Sequence, residues 1–294
     1  MKIPDNTTQT FNQYRALLFS IAYRMLGSAT DAEDIVQETF LRWLQANEDE
    51  VQSPKAYLST IVVRLCIDQQ RSARAQHEVY VGPWLPEPIR TSQPQEPTEM
   101  AILAESLSFA FMVMMENLGS LERAVFLLRE VFDYDYAEIA SIVGKGEANC
   151  RQVLHRAHQH LDKRRSRFDV SSEQQERITS QFMQTISNGD IQGLLTLLAD
   201  DIVFTGDSGG KVPVALKPIH GPDKVARGSI GGLHLLSPNV QMRIEEINGQ
   251  PAIVGYLDNH PYGVIILDIE GDRIHSIYAV VNPDKLRWLE KPSV

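Results

Sequence analysis

Cysteine is scarce: Cys66 and Cys150 are the only two among 294 residues. Both fall inside helical patterns with no second ligand at metal-binding spacing, which excludes a cysteine-built metal site and points to a reduced, cytoplasmic setting. Long hydrophobic runs are missing too. No stretch approaches the roughly 20 apolar residues of a membrane helix, and "MKIPDNTTQTFNQY" has no apolar signal-peptide core. No membrane partner is expected. Positive charge is also short, with 28 Lys and Arg against 38 Asp and Glu, a net charge of −10. Taken alone, that balance argues against nucleic acid, but distribution matters more than the sum. Between Lys145 and Phe168, seven basic residues (Lys145, Arg151, Arg156, Lys163, Arg164, Arg165, Arg167) meet only Glu147 and Asp162. One element at +5 therefore sits in a chain whose remainder totals −15.

Proline, by contrast, is concentrated. "YVGPWLPEPIRTSQPQEPTE", residues 80 to 99, holds five prolines and one tryptophan, Trp84. Each proline fixes its φ and removes a donor, so the segment is neither a helix interior nor a central strand. It reads as an extended linker between folded units.

Before the linker the pattern is helical. "FNQYRALLFSIAYRMLG" closes on Gly27. In "TDAEDIVQETFLRWLQ", Thr30 and Glu33 stand at capping-box spacing, and Val36, Phe40, Trp43 and Leu44 make one apolar face. Asp31, Asp34, Gln37, Glu38 and Arg42 lie opposite. A third helix starts with Ser53 as cap and Pro54 in the first turn. After the linker, "LERAVFLLREVF" precedes "DYAEIASIV", where Asp135 and Glu138 form another capping box. The turn Gly144-Lys145-Gly146 then leads into "EANCRQVLHRAHQHLDKRR". Short helices, a tight glycine turn and a basic last helix are the pattern of a helix-turn-helix. Cys150, Val153, Leu154, Ala157 and Leu161 form its inward stripe. Arg151, Gln152, His155 and Gln159 point outward with Arg156 on the flank, residue types that hydrogen-bond base edges and phosphates. A solvated basic face is the commoner fate of a charge run; the turn and the flanking helices favour DNA contact here.

From residue 170 the texture changes to α+β. A helical pair punctuated by Asn188-Gly189 precedes "IVFTGD", "VQMRIEEI", "AIVGYL" and "GVIILDIEGDRIHSIYAVV", separated by "NGQP", "DNHPY" and "EGD" turns. Alternation between such turns predicts antiparallel strands, and helices followed by strands predict a curved sheet folded around a helix.

Two stretches resemble a known family. "YRMLGSATDAEDIVQETFLRW" resembles region 2 of a bacterial sigma factor, and "LGSLERAVFLLREVFDYDYAEIASIVGKGEANCRQVLHRAHQHL" resembles region 4. With only these two regions, the chain is similar to an extracytoplasmic-function (ECF) sigma factor. Its remainder resembles the SnoaL-like fold, as in the SigJ-like subgroup. That subgroup's "WLPEP" motif is Trp84-Leu85-Pro86-Glu87-Pro88 here, its "NPDKL" motif is Asn282-Pro283-Asp284-Lys285-Leu286, and its "DGGGK" motif reads "DSGGK", Asp207 to Lys211, with Ser208 replacing a glycine.

The resemblance implies a multidomain architecture. All-α region 2 spans residues 10–78, the proline-rich linker 79–99, the all-α helix-turn-helix of region 4 residues 100–168, and an α+β SnoaL-like cone with a curved antiparallel sheet 170–294. It implies core RNA polymerase as partner of Asp31, Asp34, Gln37 and Glu38. Promoter DNA is then read by Arg151, Gln152, His155 and Arg156, and unstacked bases are gripped by a stretch that includes Tyr57, Arg64, Arg71 and Arg74. A structural helix whose arginines only solubilise it is the plain alternative for the last group. Trp84, Leu85, Pro86, Asp207, Lys211 and Asn282 to Leu286 become candidate regulatory contacts. No cofactor, metal or separate anti-sigma factor is expected, and an unidentified small ligand of the SnoaL-like domain is a further candidate partner. A competing reading is a DNA-binding module fused to a SnoaL-like enzyme or ligand sensor. Its acid–base candidates are Asp207, His220, His234, Asp258 and His260, none at a spacing that demands catalysis.

Overall fold

Gly27, at φ 68°, sets the phase of the helical half. It ends α1 (Asp5–Leu26) in a left-handed turn, leaving Ser28 extended as the N-cap of α2 (Ala29–Trp43). The Ser28 hydroxyl accepts from the Asp31 N–H at 3.1 Å. The cap thus falls on Ser28 rather than on Thr30, because the glycine turn lets the second helix begin earlier than its acidic run suggests. α3 (Pro54–His77) starts where expected, with Ser53 Oγ accepting from the Ala56 N–H at 3.3 Å. Leu18, Ile21, Met25, Val36, Trp43, Leu58 and Val62 are fully buried. Phe40 and Leu44 are only half-buried, and Ile35 and Thr39 complete the inner face in their place.

The structure is a computed structural model that describes residues 5–46, 51–77, 80–91, 108–161 and 170–290. These form two compact units, one built on residues 5–77 and 112–161, the other on residues 80–91, 108–111 and 170–290.

After the linker come α4 (Phe109–Met115) and α5 (Ser120–Phe126), which runs into a single π turn at Leu127–Val131. The helix-turn-helix is α6 (Tyr136–Val143) and α7 (Glu147–Leu161). Asp135 and Glu138 form the capping box, at 2.8 and 2.9 Å, and Gly144 closes α6 at φ 66°. All five residues of the α7 inward stripe are buried. Within this first unit α3 packs on α6, and Ser59 shares a buried 2.7 Å hydrogen bond with the Tyr134 hydroxyl. Arg123, almost fully buried, donates to the Met25 carbonyl at 2.6 Å and pairs with Glu116 at 2.7 Å.

The second unit is a six-stranded sheet against helices α8 (Ser172–Ser187), α9 (Ile191–Leu197) and α10 (Pro222–His234). Its strands are β1 (Leu198–Asp207), β2 (Ile219–His220), β3 (Gln241–Ile247), β4 (Gln250–Leu257), β5 (His260–Glu270) and β6 (Arg273–Val280), ordered β2-β1-β6-β5-β4-β3. Asn248-Gly249, both at positive φ, make the two-residue turn between β3 and β4. Register shifts in β1, β4 and β5 bend the sheet around a core of Ile178, Phe182, Ile202, Val225, Ile253 and Ile277. β1 and β6 run parallel, so the sheet is mixed rather than wholly antiparallel. The physical reason is connectivity: α10 and four further strands separate them, and no tight turn dictates their direction.

Candidate functional site

The residues at the end of β1 and the tail after β6 lie side by side, because these parallel strands finish at the same edge. Beyond Asp207 the chain turns through Gly209 and Gly210, at φ 56° and 76°. Ser208 is spared that conformation, and its hydroxyl accepts from the Gly210 N–H at 3.2 Å. Serine therefore replaces glycine here without strain. Gly209 has no such latitude: a Cβ would lie 2.6 Å from Asn282 Nδ2 and 3.2 Å from the Tyr80 hydroxyl.

From the other side, the N–H groups of Val281 and Asn282 both donate to the Asp207 carbonyl, at 2.8 and 3.1 Å. Asn282 Oδ1 accepts from the Asp284 N–H and caps a 3-10 turn, Pro283–Lys285, which sends Lys285 inward. A short α11 (Arg287–Glu290) follows, anchored by buried Leu286 and Leu289.

Into this corner comes the linker. The Asp207 side chain has no exposed surface, and that of Lys285 only 6%; they pair at 2.7 Å. Asp207 Oδ1 accepts from the Tyr80 hydroxyl at 2.5 Å and the Gly209 N–H at 3.1 Å, while Oδ2 accepts from the Leu85 N–H at 2.8 Å. Lys285 Nζ also donates to the Leu85 carbonyl and stands 4.0 Å from the centre of the Trp84 ring, a cation–π contact. The Asn282 side-chain amide donates to the Tyr80 hydroxyl at 2.8 Å. Burial, and then the Asp207 carboxylate, push the Tyr80 phenol well above its ordinary range, so it stays a donor. Leu85 and Pro86 are buried. Outside this core, exposed Asp284 pairs with Lys211, whose hydrogen bond holds its carboxyl below the usual range. Pro283 opens the 3-10 turn at the surface.

A second linker attachment has no counterpart in the motifs. Ile89, Arg90 and Thr91 add to the outer edge of β3, with the Thr91 N–H donating to the Glu246 carbonyl at 3.1 Å and the Asn248 N–H to the Ile89 carbonyl at 2.9 Å. Arg90 pairs with Glu245 and donates to the Tyr256 hydroxyl at 2.7 Å. The signal in the sequence was slight: Ile-Arg-Thr is a β-capable run just past the last closely spaced proline. Tyr80 was missed because a lone tyrosine before a turn carries no pattern.

In the helical unit, Asp34 and Gln37 are exposed on α2, Asp31 is half-buried, and Glu38 pairs with Arg42 at 2.9 Å. Arg64 Nε donates to the Ile142 carbonyl of α6 at 3.2 Å. It lines, with Arg42, Tyr57, Thr60 and Ser141, a groove of about 690 Å³. Arg71 is exposed, 3.7 Å from Asp68. The Arg74 side chain lies outside the described residues, as do Lys163, Arg164, Arg165 and Arg167. On α7, Arg151, Gln152, His155 and Arg156 are all exposed; Arg151 pairs with Glu147 at 2.9 Å and stacks 4.5 Å over Tyr136, and His155 bonds Gln159. The acid–base candidates are scattered: Asp207 is locked to Lys285, while His220, His234, Asp258 and His260 lie at the surface.

Two helical regions joined by a proline-rich linker, the second a helix-turn-helix with a polar outer face, followed by an α+β cone, define a two-region sigma factor with an appended SnoaL-like domain. Residues 10–76 match the family described as Sigma-70 region 2, and residues 108–161 match Sigma-70, region 4. The chain is 33% identical over 287 residues to the ECF RNA polymerase sigma factor SigJ of Mycobacterium tuberculosis, covering 94% of this chain and 91% of the relative. A probable ECF RNA polymerase sigma factor of that organism, SigI, is 30% identical over 284 residues, 96% of this chain and 95% of its own. The crystal structure of the M. tuberculosis extracytoplasmic function sigma factor SigJ superposes with a TM-score of 0.78 at 31% identity, covering 96% of this chain and 98% of that chain. The chain belongs to the ECF RNA polymerase sigma factors. It is a transcription initiation factor, not an enzyme, and its partners are core RNA polymerase and promoter DNA. Among the described residues no helix is long and apolar enough to cross a membrane.

Removing one member of a buried ion pair strands the other, at about 3–5 kcal/mol. Lys285→Met and Asp207→Asn should each destabilise the C-terminal domain by that order in urea denaturation, and the double variant by clearly less than their sum. Strict additivity would show that the two charges do not depend on each other.

Proposed function

We propose that this sigma factor is regulated in cis, its SnoaL-like domain gripping the linker that joins regions 2 and 4. The division behind this reading is region 2 at 10–78, linker at 79–99, region 4 at 100–168 and regulatory domain at 170–294. The observation that carries it is the buried Asp207–Lys285 pair, four of whose partner groups belong to the linker: the Tyr80 hydroxyl, the Trp84 ring, and the Leu85 N–H and carbonyl. Two DNA-reading regions must separate to reach two promoter elements, and a linker pinned at residues 80–91 restricts that separation. The bond from Arg64 to the Ile142 carbonyl supports the same reading, since it occupies a region 2 arginine with region 4 backbone. Polymerase shifts the population toward the open form by binding it better than the closed one. The factor works in the cytoplasm with its polymerase, and the built-in domain takes the place of a separate anti-sigma factor.

In this reading α2 presents Asp31, Asp34, Gln37 and Glu38 to core polymerase. Arg151, Gln152, His155 and Arg156 on α7 read the upstream element, and Arg64, Arg71 and Arg74 meet the melted strand.

Three measurements test these assignments. In a reconstituted transcription assay, Tyr80→Phe/Trp84→Ala and a chain ending at Val281 should both exceed the full chain; coupling of about 1–3 kcal/mol corresponds to about 5- to 150-fold. Equal output from all three would remove the regulatory role of linker and tail. Asp34→Lys/Glu38→Lys should lose co-purification with core polymerase while keeping its helical content; undiminished recovery would move the polymerase contact elsewhere. Gln152→Ala and His155→Ala should cost about 1–3 kcal/mol of discrimination at a mapped promoter. Unchanged selectivity between that promoter and a scrambled one would show that α7 reads through other residues.

A further inference from the structure

Two guanidiniums and one aromatic ring line the groove of about 690 Å³ in the helical unit: Arg42 of α2, and Arg64 and Tyr57 of α3. Among the described residues no Asp or Glu lies on its wall; Glu38, which pairs with Arg42 at 2.9 Å, stands outside it. Such a wall is complementary to an anion. Tyr57 is supported by Trp43, whose ring centre is 5.9 Å away, yet it stays 37% exposed, a surface on which a planar guest can stack. Arg64 is fixed by its Nε, which donates to the Ile142 carbonyl at 3.2 Å, and by Nη2, which donates to the Ser141 carbonyl at 3.5 Å. These bonds use two of its five N–H donors and leave the rest for a guest. Gln45 and Ser141, both exposed, complete the polar lining. Tyr57 and Arg64 lie on one face of α3, seven residues or roughly 10 Å apart at the rise of an α-helix.

We propose that this groove is a binding site for a free nucleoside diphosphate, its base stacked on Tyr57 and its phosphates held between Arg64 and Arg42. The volume admits it, since small-molecule sites run to roughly 300–1,000 Å³. The wall sets the class. A base offers a π-face to the ring, and a phosphate offers the paired acceptors that a guanidinium fork grips. An uncharged nucleoside would leave both arginines without a counter-charge, and a bare anion would leave the ring uncovered. The separation sets the length: two helical turns between ring and guanidinium suit a second phosphate better than the first. This goes beyond the reading in which Arg64 meets the melted strand, because the ligand is a diffusible molecule bound by the free protein. Nucleotide and strand share one chemistry and compete for Arg64. Since Ser141 belongs to region 4, a bound nucleotide favours the arrangement in which both regions border the groove.

The test is calorimetric titration of the full-length protein with ADP, adenosine, inorganic pyrophosphate and a short single-stranded DNA. ADP should bind saturably and lose affinity as salt rises, while adenosine and pyrophosphate should each bind far more weakly. Tyr57→Ala should lower ADP affinity by about 5- to 150-fold, the equivalent of about 1–3 kcal/mol for one base stacked on an aromatic ring, and leave pyrophosphate unchanged. Arg42→Ala should weaken ADP and leave adenosine unchanged. Four results would overturn the proposal. They are absence of saturable ADP binding to the unmodified chain, pyrophosphate binding as tightly as ADP (an adventitious ion only), full ADP affinity in a folded Tyr57→Ala, and binding of the single strand without binding of ADP. The probe series on the unmodified chain decides the ligand class even where a variant folds poorly. It needs neither promoter nor polymerase, so its failure is distinguishable from failure of the transcription assay.

Discussion

Everything around the C-terminal corner depends on keeping two opposite charges out of water. Desolvating a carboxylate and an ammonium costs several kcal/mol each, and their attraction offsets that only when the remaining hydrogen-bonding capacity is also filled. Asp207 and Lys285 meet this condition with groups from three separate stretches of chain. The carboxylate takes the Tyr80 hydroxyl, the Gly209 and Leu85 N–H groups and the ammonium; the ammonium takes the carboxylate, the Leu85 carbonyl and the Trp84 ring. A one-residue slip of the linker would move Leu85 away from both charges. Register is therefore specified by the cost of leaving a charge unpaired, a sharper criterion than apolar packing alone.

The linker's second attachment solves a different problem. β3 is the last strand of the sheet, and an open edge presents unpaired backbone groups that invite association. Ile89 to Thr91 cover part of that edge, and Arg90, Glu245 and Tyr256 close over it. Between these two anchors the chain runs Pro86-Glu87-Pro88. Prolines suit this stretch because they lose little freedom on docking. A cavity inside the cone adjoins the first anchor. Val281 lines the cavity and precedes Asn282, and Val214 lines it while packing on Gly206, next to Asp207.

In the helical unit, several polar side chains are engaged by their own neighbours. Arg64 spends donors on the carbonyls of Ser141 and Ile142, and Ser59 shares its hydroxyl with Tyr134. Arg123 gathers the Met25 and Met115 carbonyls at one buried point. Arg123 also pairs with Glu116, whereas the Arg64 and Ser59 bonds run to backbone and a hydroxyl and exchange for water without breaking an ion pair. Their geometry suits a contact that opens, unlike the doubly charged lock at Asp207.

Sequence alone determined the elements whose causes are local. Proline spacing marked the linker, glycine turns and capping residues marked the helix-turn-helix, and the α7 stripe of Cys150, Val153, Leu154, Ala157 and Leu161 followed from period alone. The three motifs Trp84 to Pro88, Asp207 to Lys211 and Asn282 to Leu286 were visible as resemblance, though not as one constellation bonded atom to atom. Tertiary structure decided what depends on distant partners. It made Tyr80 part of the charge lock, bonded Ile89 to Thr91 along the edge of β3 through a single bridge at Arg90, set β1 parallel to β6, and moved the α2 cap to Ser28. Each of these turns on whether a donor, a charge or a strand edge finds its complement far along the chain, and periodicity carries no information about partners beyond a few residues.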